Sequence, residues 1–184
     1  MERLNHASRS DAFGSKINRT SSPLLMIGVP WLTIMLGSLA PMLPVIALSP
    51  VLPPFAYIVL LAWRLLRANV LPLWAGLPLG LFDDLLSGQP IGSAMLLFSI
   101  TMIAIDLMEI RFPWRSFFQD WLTASLFITA YLVISALVSG ADLSLVQLGL
   151  IVPQLLLAVV VFPLVSRMVS VLDRLRLLRV RRLA

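Results

Sequence analysis

Gly76-Leu-Pro-Leu-Gly-Leu-Phe-Asp-Asp-Leu-Leu-Ser-Gly-Gln-Pro-Ile-Gly-Ser-Ala94 joins two apolar runs and sets Gly88, Pro90 and Gly92 between them. Glycine and proline at such a drop in hydrophobicity end one helix and open the next. The stretch reads as a tight helical hairpin. Its arms belong to a chain of 184 residues that is 59% hydrophobic and 12% charged, with a mean hydropathy of +0.96. Soluble domains run at roughly half apolar and about a quarter charged, so a water-soluble fold is excluded.

Outward from the hairpin, the same logic divides the chain into six apolar segments: 24–39, 55–66, 70–86, 91–110, 121–138 and 145–171. Spans of about 20 residues each use nearly everything after residue 23 and leave no room for a separate soluble domain. The expected fold is an all-α membrane protein with about six transmembrane helices in one bundle. The expected organisation is a polar cytoplasmic tail over residues 1–23, a membrane domain over 24–172 and a basic cytoplasmic tail over 173–184. Pro41, Pro44, Pro50, Pro53 and Pro54 close the first segment as an outer loop. Ser38-Leu39-Ala40 resembles a signal-peptide cleavage site, but Pro41 obstructs it and further spans follow. The second segment is short for a bilayer of about 30 Å. Snorkelling of Arg64 and Arg67 to the headgroups is expected to extend it.

Charge tests the count. With six crossings and a cytoplasmic start, all 14 Lys and Arg fall on one side: the first tail, Arg64 and Arg67, Arg111 and Arg115, and Arg167 with the carboxyl end. That is the positive-inside pattern, with both termini cytoplasmic. Arg174, Arg176, Arg179, Arg181 and Arg182 interleave with leucine and are candidates for contact with anionic lipid. Nucleic acid is a poor explanation for them. Trp63, Trp74, Trp114 and Trp121 are expected near the interfaces.

Catalytic chemistry finds no support. Without cysteine there is no thiolate and no cysteine-ligated metal, and the lone histidine, His6, lies in the polar tail. No Ser/His/Asp set, P-loop or H-E-x-x-H motif is present, so no enzyme, metal or cofactor is expected. The hairpin holds the informative residues. Gly76 and Gly80 form a G-x-x-x-G face for close helix approach, with Pro78 between them as a kink candidate. Asp83 and Asp84 stand at a helix carboxyl end, where the dipole disfavours negative charge. Four outcomes are open for them: solvation, bonding to backbone donors around Gly88 to Gly92, protonation, or pairing with a cation on a partner or ligand. Asp106 and Glu109 are expected to be neutralised near Arg111 and Arg115.

The segment with Gly80-Leu81-Phe82-Asp83-Asp84-Leu85-Leu86-Ser87-Gly88 and Pro90-Ile91-Gly92 resembles the signature of the MreD family, a Gly-rich span ending in an acidic residue before a Pro-hydrophobic-Gly turn. The doubled aspartate departs from that pattern, as does the 23-residue tail. The resemblance implies a scaffold of the bacterial cell-wall elongation complex in the inner membrane. It implies binding to the bitopic protein MreC, coupling to wall synthases and, indirectly, to the MreB filament. Gly76, Gly80, Asp83, Asp84, Gly88, Pro90 and Gly92 are its partner-binding or structural motif residues. The family is also similar in plan to the substrate-binding subunits of energy-coupling transporters, which gives the alternative: a ligand-binding or transport subunit with a polar cavity in the bundle. Thr33, Thr101, Ser125, Thr129, Ser135 and Gln154 are the scattered mid-span polar residues. Back-bonding to their own helices is expected to absorb the hydroxyls.

Overall fold

A computed structural model describes residues 23–42, 52–67, 70–111, 116–140 and 145–176. Among them every regular element is helical: α1 Pro23–Ser38 with a 3-10 turn at Ala40–Met42, α2 Phe55–Leu66, a 3-10 turn at Leu73–Ala75, α3 Gly76–Ser87, α4 Ser93–Arg111, α5 Phe117–Val138 and α6 Leu145–Arg176. Among the described residues four segments are long and apolar enough to cross a membrane: Leu25–Met42, Ser93–Arg111, Phe117–Val138 and Ile151–Arg176. Of the expected tails, residues 1–22 and 177–184, with His6, Arg179, Arg181 and Arg182, lie outside the described residues, as do Arg115 and Trp114, whereas residues 173–176 continue α6.

The two short helices depart from the sequence reading, each for its own reason. α2 has 12 residues, about 18 Å at 1.5 Å per residue, and every residue from Ala56 to Leu65 is buried. A helix that is apolar all round belongs in a core. α1, α4, α5 and α6 surround it, so protein rather than lipid covers it. The segment expected as one span over 70–86 is divided: Pro72 precedes the 3-10 turn, and the α-helix begins only at Gly76. Pro78 falls in the first turn of α3, where its missing N–H costs no intrahelical bond, so it makes no kink. α5 starts at Phe117 rather than Trp121, because Ser116 and Gln119 close a capping box.

Interior prolines tie neighbouring helices together. Pro163 in α6 offers no N–H to the carbonyl of Val159 four residues earlier, and the Trp121 indole donates to that carbonyl at 3.0 Å. Pro30 in α1 frees Met26 in the same way, and the Arg176 guanidinium donates to it at 3.4 Å. A polar aromatic knot fills the centre. Tyr57 stacks on Tyr131 with centroids 4.2 Å apart and shares a 2.7 Å hydrogen bond with Thr101. Trp63 is fully buried and donates to Thr33 at 2.9 Å, so it leaves the interface where the sequence placed it. Trp74, 61% exposed, packs against Trp31.

The bundle has two unlike ends. At one, Arg64 is buried and bonds Asp106 at 2.5 Å, with Glu109 at 3.6 Å, while Arg67 and Arg176 both bond Asp173 at 2.8 Å. Arg64 therefore does not snorkel. A guanidinium withdrawn from water needs carboxylates beside it, and α4 supplies them. Asp106 and Glu109 thus lie beside Arg64 of α2, a partner the sequence reading did not name for them. The other end gathers the carboxyl ends of α1, α3 and α5 with the amino end of α2 and the first turns of α4.

Candidate functional site

The hairpin of α3 and α4 forms the wall of that second end. Its arms meet backbone to backbone. A Cβ on Gly76 would lie 2.9 Å from Ser99 Cα, and one on Gly80 would collide with the main chain of Ala94 and Met95. The G-x-x-x-G face is thus taken up within the chain, by α4. Gly88 ends α3 with φ +69° and Gly92 precedes α4 with φ +99°, left-handed conformations that give the turn its glycines. Pro90 lies between them and its carbonyl accepts from Ser93 N–H at 3.1 Å. Gly37 makes a similar close approach of α1 to α2, where a Cβ would lie 2.9 Å from Ala56 Cα.

The two adjacent aspartates separate completely in role. Asp84 accepts from the N–H groups of Gly92 at 2.8 Å, Ala94 at 2.8 Å and Met95 at 3.2 Å, and from the Ser93 hydroxyl at 3.1 Å. With Leu96 N–H bonded to Gly92 O, the orphan donors of the first turn of α4 are answered. The carboxylate that the dipole of α3 repels is held by the positive end of α4. This is the backbone-donor outcome among the four the sequence left open.

Asp83, one residue earlier and so turned about 100° around the helix, faces a cavity instead. The cavity holds about 370 Å³ and is lined by Asp83, Ser87 and Gln89 of the hairpin, Tyr131 and Ser135 of α5, and Gln154 of α6, with Phe55, Leu132 and Ile151 among its apolar walls. Asp83 is 7% exposed, and no Lys or Arg pairs with it among the described residues. Ser38 of α1, itself buried, turns its hydroxyl toward Asp83 without closing a regular hydrogen bond. Gln154 donates to Leu52 O at 2.8 Å.

The other sequence candidates are placed as follows. Thr33, Ser125 and Thr129 back-bond to their own helices as expected, and Thr101 joins Tyr57. The Ser135 hydroxyl makes no bond among the described residues, and the residue lines the cavity. Arg174 is exposed, while Arg176 turns inward to Asp173, Met26 and the face of Trp63 at 5.8 Å, so only the former is free to meet lipid. The sequence reading missed the cavity and Tyr131. A tyrosine in a 22-residue apolar helix was the available signal, because a buried phenol wants a polar neighbour. Among the described residues no group of three or more metal-ligating side chains occurs.

A family model described as MreD, rod shape-determining protein MreD, matches residues 18–174. No curated protein and no solved structure matches the chain.

Proposed function

The chain belongs to the MreD family of rod shape-determining membrane proteins, and on that premise we propose that it is a non-enzymatic scaffold of the bacterial cell-wall elongation complex. It binds an MreC-like bitopic protein and thereby couples wall synthases and, indirectly, the MreB filament. The family match across residues 18–174 carries this reading. Two physical features support it. Leu32, Leu36, Leu126, Val160 and Leu164 are each at least 60% exposed, so apolar helix faces are available to lipid or to a partner's helix. The motif residues Gly76, Gly80, Asp84, Gly88, Pro90 and Gly92 hold the hairpin rigid, which presents one fixed surface at that end.

The end bearing Arg64, Arg67, Arg174 and Arg176 faces the cytoplasm of the inner membrane, the hairpin turn faces outward, and both termini are cytoplasmic. On this reading α2 and α3 complete six crossings inside one membrane domain, 24–172, with polar tails over 1–23 and 173–184. Buried in protein, a short helix need not match the lipid thickness. The polar cavity favours the second reading, a ligand-binding subunit of the energy-coupling type.

Affinity purification of the tagged chain from its native membrane, followed by mass spectrometry, separates the two. Recovery of an MreC-like protein with wall synthases is the expected result. Recovery of a nucleotide-binding ATPase pair in their place would overturn the scaffold.

A further inference from the structure

We propose that the cavity between the α3–α4 hairpin and α5 is a binding site for a cationic group, an alkylammonium or guanidinium, with Asp83 as its counter-ion. The inference stands on the geometry of this cavity and is independent of the scaffold reading.

Three side chains at least nine-tenths buried line the space: Asp83 at 7%, Tyr131 at 2% and Ser135 at 8% exposure. Asp84 has spent its oxygens on the first turn of α4, so it does not share the work of Asp83. Ser135 is the independent observation: a residue 8% exposed that lines the cavity and whose hydroxyl has no partner among the described residues. A serine on an apolar helix ordinarily back-bonds, as Ser125 does to Trp121 O at 2.8 Å, and one that does not is left with an unmet polar group. The Ser87 hydroxyl on the opposite wall is likewise buried and unpartnered.

The sign of the ligand follows from the lining. Among the described residues no Lys, Arg or His lines the cavity, and Asp83 is its one carboxylate, so an anion is repelled. Gln154 uses its amide N–H on Leu52 O, which leaves its Oε1 as an acceptor. A cation with several N–H donors therefore meets complementary atoms on α3, α5 and α6 at once. Phe55, Leu132 and Ile151 are apolar walls suited to a short alkyl stem. A metal ion is a poorer match, because a single unspent carboxylate lacks the ligand set such ions require. The volume of about 370 Å³ admits a small organic cation or the end of one basic side chain.

The test uses the full chain in lipid nanodiscs, titrated calorimetrically with butylguanidinium, its neutral isostere butylurea, and butyrate. Saturable binding of the cation is expected, with butylurea about tenfold weaker or worse and butyrate silent. Asp83→Asn should lower affinity for the cation by about tenfold or more, Ser135→Ala by about threefold, and Asp83→Glu should restore most of it. A photo-crosslinking residue in place of Leu132, used in native membranes, distinguishes the sources. An adduct of low mass identifies a free amine, and an adduct on a Lys- or Arg-bearing peptide identifies a partner's side chain, even where butylguanidinium alone binds too weakly to detect. Equal binding of butylurea, unchanged affinity in Asp83→Asn, an adduct on a peptide without a basic residue, or neither titration signal nor adduct would each overturn the proposal.

Discussion

Adjacent identical residues can have unrelated duties when a helix turns them to different faces, and Asp83 and Asp84 are such a pair. Asp84 answers three backbone donors and a hydroxyl at the start of α4. An amide in its place accepts through only one oxygen, so Asp84→Asn should destabilise the chain by about 2 kcal/mol. Asp83→Asn should be neutral or mildly stabilising, because it removes a buried charge that no cation among the described residues offsets. Unfolding of the two variants in detergent by SDS titration checks the contrast, and equal losses would refute the division of roles. The acidic motif was legible in the sequence as a helix-end feature. Which aspartate capped and which faced a cavity was not, because that depends on the azimuth of each side chain relative to helices distant in the chain.

Between elements, closeness of approach is the controlling quantity. Gly80 meets the main chain of α4, so Gly80→Val has no flexible neighbour to displace and must push α3 and α4 apart. It should cost about 3 kcal/mol or more, at the upper end for overpacking, and weaken the Asp84 cap with it. Gly28 in α1 has open space where its Cβ would go, and Gly28→Ala should be neutral or stabilising by up to about 1 kcal/mol. Thermal unfolding in nanodiscs measures both, and a tolerated Gly80→Val would show that the contact is not rigid. Composition makes these glycines look alike. The spacing from Gly76 to Gly80 hinted at a packing face, but nothing in it said that the facing helix is the next one in the chain. The interior prolines carry the same lesson: Pro30 and Pro163 predict freed carbonyls, while Arg176 and Trp121 as the donors emerge only on packing.

For the whole molecule, orientation is the property with the widest consequences. The chain has no cysteine, so a single introduced thiol reports its own location. Ile91→Cys, at a position 77% exposed in the hairpin turn, should react with a membrane-impermeant maleimide from outside the cell. Ile110→Cys, 76% exposed at the opposite end of α4, should react only after the membrane is opened. The reverse pattern would invert the bundle and place the polar cavity on the cytoplasmic side. By itself the sequence determined the solvent, the helical class and the segregation of basic residues, because apolar runs must satisfy their backbone internally in lipid and because charge bias is written residue by residue. It also carried the family, which a family model matches over residues 18–174. Only the tertiary structure decided that the shortest apolar segment is buried at the core, that Arg64 pairs with Asp106 across helices, and that Asp83, Tyr131 and Ser135 border one cavity. Those facts depend on which faces of helices far apart in the chain come together, and helical periodicity names a face without naming its neighbour.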